Sequence, residues 1–248
     1  MSTPPLYKEV QPLDRNDHRQ LKLQQSQGDQ ANAASLNSVF LAVTEFAEAC
    51  REFPIVFVRT GSAEGGAKPV VMPIAVMGLK PEQNLFITDG KFTGKYAPAY
   101  LRRYPFIMVR AEENSDRMLV CMDPSWKGFS ETEGEALFKE DGEPTELLVN
   151  VQKFLEAFEQ EAERTREFCT RLDAAGLLQD MRFDATMGDG EKLSVDGFLT
   201  IDEAKFKELP EATVLEWHRN GMLGVLELHR LSLSNMANLA QMLATQAA

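Results

Sequence analysis

The stretch from Leu147 to Leu172 constrains this chain more than any other. Leu147, Leu148, Val151, Phe154, Leu155, Phe158, Ala162, Phe168 and Leu172 recur at i, i+3, i+4 and i+7 spacing, with Glu and Gln between them. The stripe runs for about seven turns of 3.6 residues, and its apolar side needs a surface to lie on. Pro144 stands ahead of it, with Glu143 and Glu146 where a helix N-terminus favours negative charge. Gly176 follows as the C-cap.

Short β-prone runs can supply that surface. PIVFV at 54–58 follows directly on a helix-stopping proline, and VVMPIAVMGL, NLFIT, FIMVRA and RMLVCMD are each bounded by Gly, Pro, Asn or charge. Their spacing of about a dozen residues, with links as short as ENSD at 113–116, suits hairpins rather than βαβ crossovers. MRFDAT and EKLSVDGFLTI form a further hairpin over 181–200, turning at Asp189-Gly190. Leu36, Val39, Phe40, Val43 and Ala47 sit at helical spacing and predict a helix ending near Arg51. IDEAKFKELP and the segment from Glu211 onward are helical, the latter divided by Gly221 and Gly224 into two helices. Residues 24–34 and 61–69 read as a polar loop and a flexible turn. The expectation is an α+β fold: a mainly antiparallel sheet packed by a long helix, with a β-hairpin and a helical C-terminal portion. It forms one domain, 1–248, with a subdivision near 144 between a sheet-rich part (1–143) and a helical part (144–248).

A net charge of −12 and a pI near 4.8 argue against nucleic acid or anionic lipid as partners, since both need clustered cations. The first twenty residues lack a basic segment followed by an apolar one, and no run approaches the ~20 apolar residues of a membrane span. Cys50, Cys121 and Cys169 are odd in number and without CxxC spacing, which suits reduced thiols. These features predict a cytoplasmic protein without membrane insertion.

Candidate chemistry is sparse. KYAPAYLRRYPF, residues 95–106, follows GKFTGK, whose three residues between glycines and Tyr96 after the lysine do not fit a phosphate loop. Arg102 and Arg103, with Tyr100, are the ligand-binding candidates, because guanidinium forks suit planar anions. The alternative is structural: Pro98 opens a short helix, the arginines meet its last carbonyls, Pro105 ends it, and Tyr96, Tyr100 and Tyr104 share a face. His218 and His229 are eleven residues apart, about 16 Å on one helix and too far for a shared ion. A 2-His-1-carboxylate iron site could still be assembled from His18, His229 and Glu45; beyond that, no cofactor is evident. The acidic run SETEGEALFKEDGEPTE lacks EF-hand spacing, and Cys121 has no base at a motif spacing.

Several words of the sequence carry a resemblance: YKEVQPLDRNDHRQLKL (7–23), EFAEACREFPIVF (45–57), YAPAYLRRYPF (96–106), GEALFKEDGEPT (134–145), DGFLTIDEAKFKELP (196–210) and HRNGMLGVLELHRLSLSN (218–235). In this order they resemble the SapC family, the SapC-like S-layer-associated proteins of Gram-negative bacteria. The resemblance implies a cytoplasmic accessory role in envelope transport or modification, in an S-layer secretion or TonB-dependent uptake setting, and carries no catalytic motif. His18, Glu45, Arg102, Arg103 and His229 lie within the matching words.

Three readings follow: a binding or accessory protein recognising a protein partner or small ligand; a non-haem metal enzyme modifying a peptide or small aromatic substrate; and a homodimer. The last would use the apolar stripe Leu231, Leu233, Met236, Leu239, Ala240 and Leu243 of the C-terminal helix.

Overall fold

The structure, a computed structural model, describes residues 4–24, 30–61, 69–112, 115, 117–186 and 192–246. The expected turn at Asp189-Gly190 lies outside these residues, as does most of 61–69 and the middle of 24–34.

Along the chain, β1 (Gln11–Pro12) and β2 (Lys22–Leu23) come first, then β3 (Ser38–Phe40). A 3-10 turn at Val43–Glu45 leads into α1 (Phe46–Ala49). The predicted helix from Leu36 therefore begins several residues late. Leu36, Val39 and Phe40 fit helical spacing, but Val39 alone is buried between half-buried Ser38 and Phe40, the alternation of a strand. Pairing with a distant strand decides it: Ser38, Val39 and Phe40 face Val76, Ala75 and Ile74.

The strands β4 (Ile55–Thr60) and β5 (Val70–Val76) pair antiparallel over six residues. β6 (Ile87–Thr88) and β7 (Lys91–Phe92) form a tight hairpin. Its two central residues, Asp89 (φ 51°) and Gly90 (φ 72°), both take the positive φ that a two-residue turn of this hand requires. After α2 (Ala99–Arg102) come β8 (Phe106–Arg110) and β9 (Met118–Met122), paired antiparallel, and the short β10 (Phe129–Ser130) and β11 (Glu135–Ala136). The long helix α3 (Glu146–Ala174) opens with the Leu148 amide donating to the Thr145 hydroxyl and closes at Gly176, φ +65°. β12 (Leu178–Thr186) and β13 (Lys192–Ile201) make the predicted hairpin. Four helices follow among the described residues: α4 (Glu203–Lys207), α5 (Glu211–Arg219), α6 (Met222–Ser232) and α7 (Asn235–Gln246). Gly221 divides α5 from α6 as expected, whereas Gly224 stays inside α6, and an unexpected further break at Leu233 and Ser234 makes three helices of the two expected.

The chain forms two compact units. The first comprises residues 1–34, 87–93 and 99–160, with the sheets β1-β9-β8 and β10-β2-β11 and the hairpin β6-β7. Its core is Phe106, Met122, Leu137, Phe138, Leu148 and Leu155, so the N-terminal half of α3 lies on the surface its stripe requires. The second comprises 35–86, 94–98 and 161–248, with the antiparallel sheet β12-β13-β4-β5-β3 and α4 to α7. Phe46, Phe53, Ile55, Phe57, Leu226 and Leu239 are fully buried there. Met236, Leu239 and Leu243 of the C-terminal stripe are buried, while Leu231 at the end of α6 is 66% exposed.

Candidate functional site

The site is built on the joint between α2 and β8. Pro98 precedes α2, whose single turn closes when the Arg103 amide donates to the Ala99 carbonyl (3.0 Å). Pro105 has no amide to donate, and the Phe106 amide folds back on the Arg103 carbonyl (2.8 Å) as β8 begins. The joint turns the Arg103 side chain inward, and only 8% of it remains exposed.

Aromatic rings receive its charge. The guanidinium carbon lies 4.4 Å from the ring centre of Tyr100, 4.6 Å from Phe158 and 5.8 Å from Tyr7. Tyr7 is held by its hydroxyl, which donates to the Phe106 carbonyl (2.7 Å), and by an edge-to-face contact with Tyr104. Burial pushes the Tyr7 phenol above its ordinary range, and the neighbouring positive charge of Arg103 pulls the other way. Tyr7 is therefore a neutral wall.

Beside this cage lies Asp123, fully buried and fully used. Its carboxylate accepts from the Lys8 amide (2.8 Å), the Ser125 amide (3.0 Å), the Ser125 hydroxyl (2.6 Å) and the Tyr104 hydroxyl (3.3 Å). Asn32 donates to the same Tyr104 oxygen (2.6 Å). Arg103, by contrast, is paired with no carboxylate among the described residues, and its Nε is buried without a hydrogen-bond partner. An arginine stays protonated under all ordinary conditions, so the arrangement holds a permanent buried cation with an unused donor. It can bind an anion but cannot exchange a proton.

The other sequence candidates lie elsewhere. Arg102 stacks on Phe154, 5.3 Å from the ring centre. His18, in the first unit, accepts the Asp14 amide at Nδ1 (3.0 Å) within a turn whose Asn16 and Asp17 amides donate to the Asp14 carboxylate. Glu45, in the second unit, accepts from the Ala42 amide (3.0 Å) and the Tyr96 hydroxyl (2.7 Å). His229, also in the second unit, uses both ring nitrogens: Nδ1 meets the Ile55 carbonyl (2.7 Å) and Nε2 the Ile201 amide (3.3 Å). Burial drives its pKa down to about 4, only partly offset by the Ile55 hydrogen bond, so it is neutral at pH 7. Among the described residues, no group of three His, Cys, Asp or Glu is placed to hold a metal ion. The thiol of Cys169 is pushed up to about 12, chiefly by burial, and that of Cys121 is raised for the same reason.

Arg103 and Tyr100 are sequence candidates for a ligand, whereas nothing in the sequence singles out Tyr7, Phe158 or Asp123 as their neighbours. Phe158 was legible only as one member of the α3 stripe. Tyr7 lies 96 positions before Arg103, and no spacing rule links them.

Residues 13–239 match the family model described as SapC. No curated protein and no solved structure matches the chain.

Proposed function

The chain belongs to the SapC family, and from that premise we propose that it is an accessory binding protein of bacterial envelope transport or modification which engages a ligand at Arg103. The observation that carries this reading is the buried Arg103 guanidinium, caged by Tyr7, Tyr100 and Phe158 with its Nε unpartnered. Burying a cation costs several kcal/mol unless an anion or a full set of hydrogen bonds compensates it. The rings and the buried Asp123 carboxylate beside the cage offset part of that cost, and a bound anion meeting the unpartnered Nε would add to that offset. The role is placed in the cytoplasm, in keeping with three free cysteines and with no helix among the described residues long and apolar enough to cross a membrane.

Extraction of small molecules from the denatured protein, followed by mass spectrometry, tests the reading. An anion recovered near one equivalent from the native chain and lost from Arg103→Met is the expected result. Identical extracts from both would count against a ligand at this residue.

A further inference from the structure

The helix α5 differs from its neighbours in how much apolar surface it leaves outside. Of its nine residues only Trp217 is buried, while Leu215 is 50% exposed and Val214 39%. Trp217 and Leu215 are two positions apart, about 200° around the axis, so the side opposite the buried tryptophan is centred on Leu215. Shallow clefts flank that side chain, one lined by Ala212, Glu216 and Arg219 and the other by Glu211, Val214 and His218. We propose that this face docks on the same face of a second copy of the chain, with the two α5 helices antiparallel and meeting at Leu215.

The arrangement of charge points to the occupant. A two-fold axis brings residue i of one chain to residue j of the other and j to i, so a surface that fits its own copy is complementary when read backwards. Leu215 is the middle residue of α5, and Glu211 and Arg219 stand four positions to either side, each within about 40° of its direction. Antiparallel pairing at Leu215 sets Glu211 level with Arg219 of the partner subunit, and Arg219 level with the partner's Glu211. Parallel pairing sets like charges together at both ends. Among the described residues, neither Glu211 nor Arg219 has an ion pair within its own chain. A different protein would require no reversal of charge about Leu215; a second copy does.

Size and net charge set the strength. The helix spans about 13 Å, and a contact of that length stays below the ~1,000 Å² at which stable interfaces begin. Each copy also carries a net charge of −12, so two chains repel, and at physiological salt that repulsion is screened beyond about 8 Å while close pairs are not. The dimer is therefore weak, with a dissociation constant on the order of 100 μM. The apolar positions of α7 do not compete for this role, since Met236, Leu239 and Leu243 are buried in the chain itself. Nothing in the contact depends on a ligand at Arg103.

Sedimentation equilibrium of the full chain, from about 5 μM to about 1 mM at ~150 mM salt, tests the proposal. The native chain is expected to rise from its monomer mass of 27.8 kDa toward twice that value. Glu211→Arg brings like charges together at both ends of the contact, and should weaken association about tenfold or more although it lowers the net repulsion between copies. The double variant Glu211→Arg/Arg219→Glu exchanges the charges and should return to within about threefold of the native affinity. Leu215→Lys retains helix propensity, puts like charges on the axis and should leave a monomer throughout. All three positions are exposed, and unchanged far-ultraviolet circular dichroism and tryptophan emission verify that each variant folds. A native chain that stays monomeric to about 1 mM would overturn the proposal and leave the face to a different partner. Association that Glu211→Arg or Leu215→Lys leaves unchanged, or that the double exchange fails to restore, would overturn it by placing the contact elsewhere.

Discussion

At Arg103 two free energies oppose each other. Each desolvated cation–π contact contributes up to about 2 kcal/mol, while burial of an uncompensated ion costs several. Lysine would retain the charge and lose the delocalised plane that lies on Tyr100 and Phe158. Arg103→Lys is therefore expected to lose about 1–3 kcal/mol in urea denaturation. His229 makes a different prediction, because it is buried neutral. Its folded pKa of about 4 lies below the unfolded value of 6.5, so between these pH values the unfolded chain binds more protons. Stability is full above pH 6.5 and falls as pH drops through the window, by about 3 kcal/mol in all from this residue. Urea titrations at a series of pH values should show that slope, and His229→Gln, which can donate and accept without charging, should flatten it. An unchanged slope in the variant would assign the pH dependence to other groups. The sequence marked His229 for attention but suggested a metal ligand, since its true partners are backbone groups of Ile55 and Ile201, 174 and 28 positions away. Side-chain patterns carry no record of such partners.

The elements differ in how plainly their sequences declare them. α3 was readable because one pattern repeats along most of its 29 residues, too long for a strand to imitate. The strands β4, β5, β8 and β9 were readable from β-branched runs closed by Pro, Gly or charge. Leu36–Phe40 was not, because five residues satisfy a helical and an alternating pattern at once, and the choice fell to pairing with β5. Two of these elements carry specific load. Leu155 of α3 is fully buried in the core of the first unit, and Leu155→Ala should cost about 2–5 kcal/mol. In the second unit the Ser232 hydroxyl at the end of α6 accepts the Ile55 amide at the start of β4 (2.9 Å), and both are buried. Ser232→Ala leaves that amide without its partner and should cost about 1–3 kcal/mol, more than an exposed serine such as Ser234. Equal small effects of the two serine variants would contradict a clip between α6 and β4.

On the scale of the whole molecule, the mixed antiparallel class and its helical C-terminal portion were legible, but the way the chain weaves between its two units was not. Each unit draws on three separated segments, and residues 146–160 and 161–174 of one uninterrupted helix belong to different units. Helical hydrogen bonding is cooperative along such an element, so melting at one end removes support from the other. Trp126 reports on the first unit and Trp217 on the second. Single-tryptophan variants are expected to give coincident urea transitions; two separated midpoints would show that α3 does not couple the units. The candidate site was legible only to the extent of Arg103 and Tyr100, because the walls that give it meaning are gathered from the N-terminal segment and from α3 by the fold. On the proposed function, Arg103 is kept for what it binds and not for what it holds together. The global unfolding free energy of Arg103→Met tests this most directly, since methionine fills similar space against the same rings without a charge to desolvate. The account predicts a variant as stable as the native chain or more stable by about 1 kcal/mol; a loss of about 2 kcal/mol or more would contradict it and make Arg103 a structural staple.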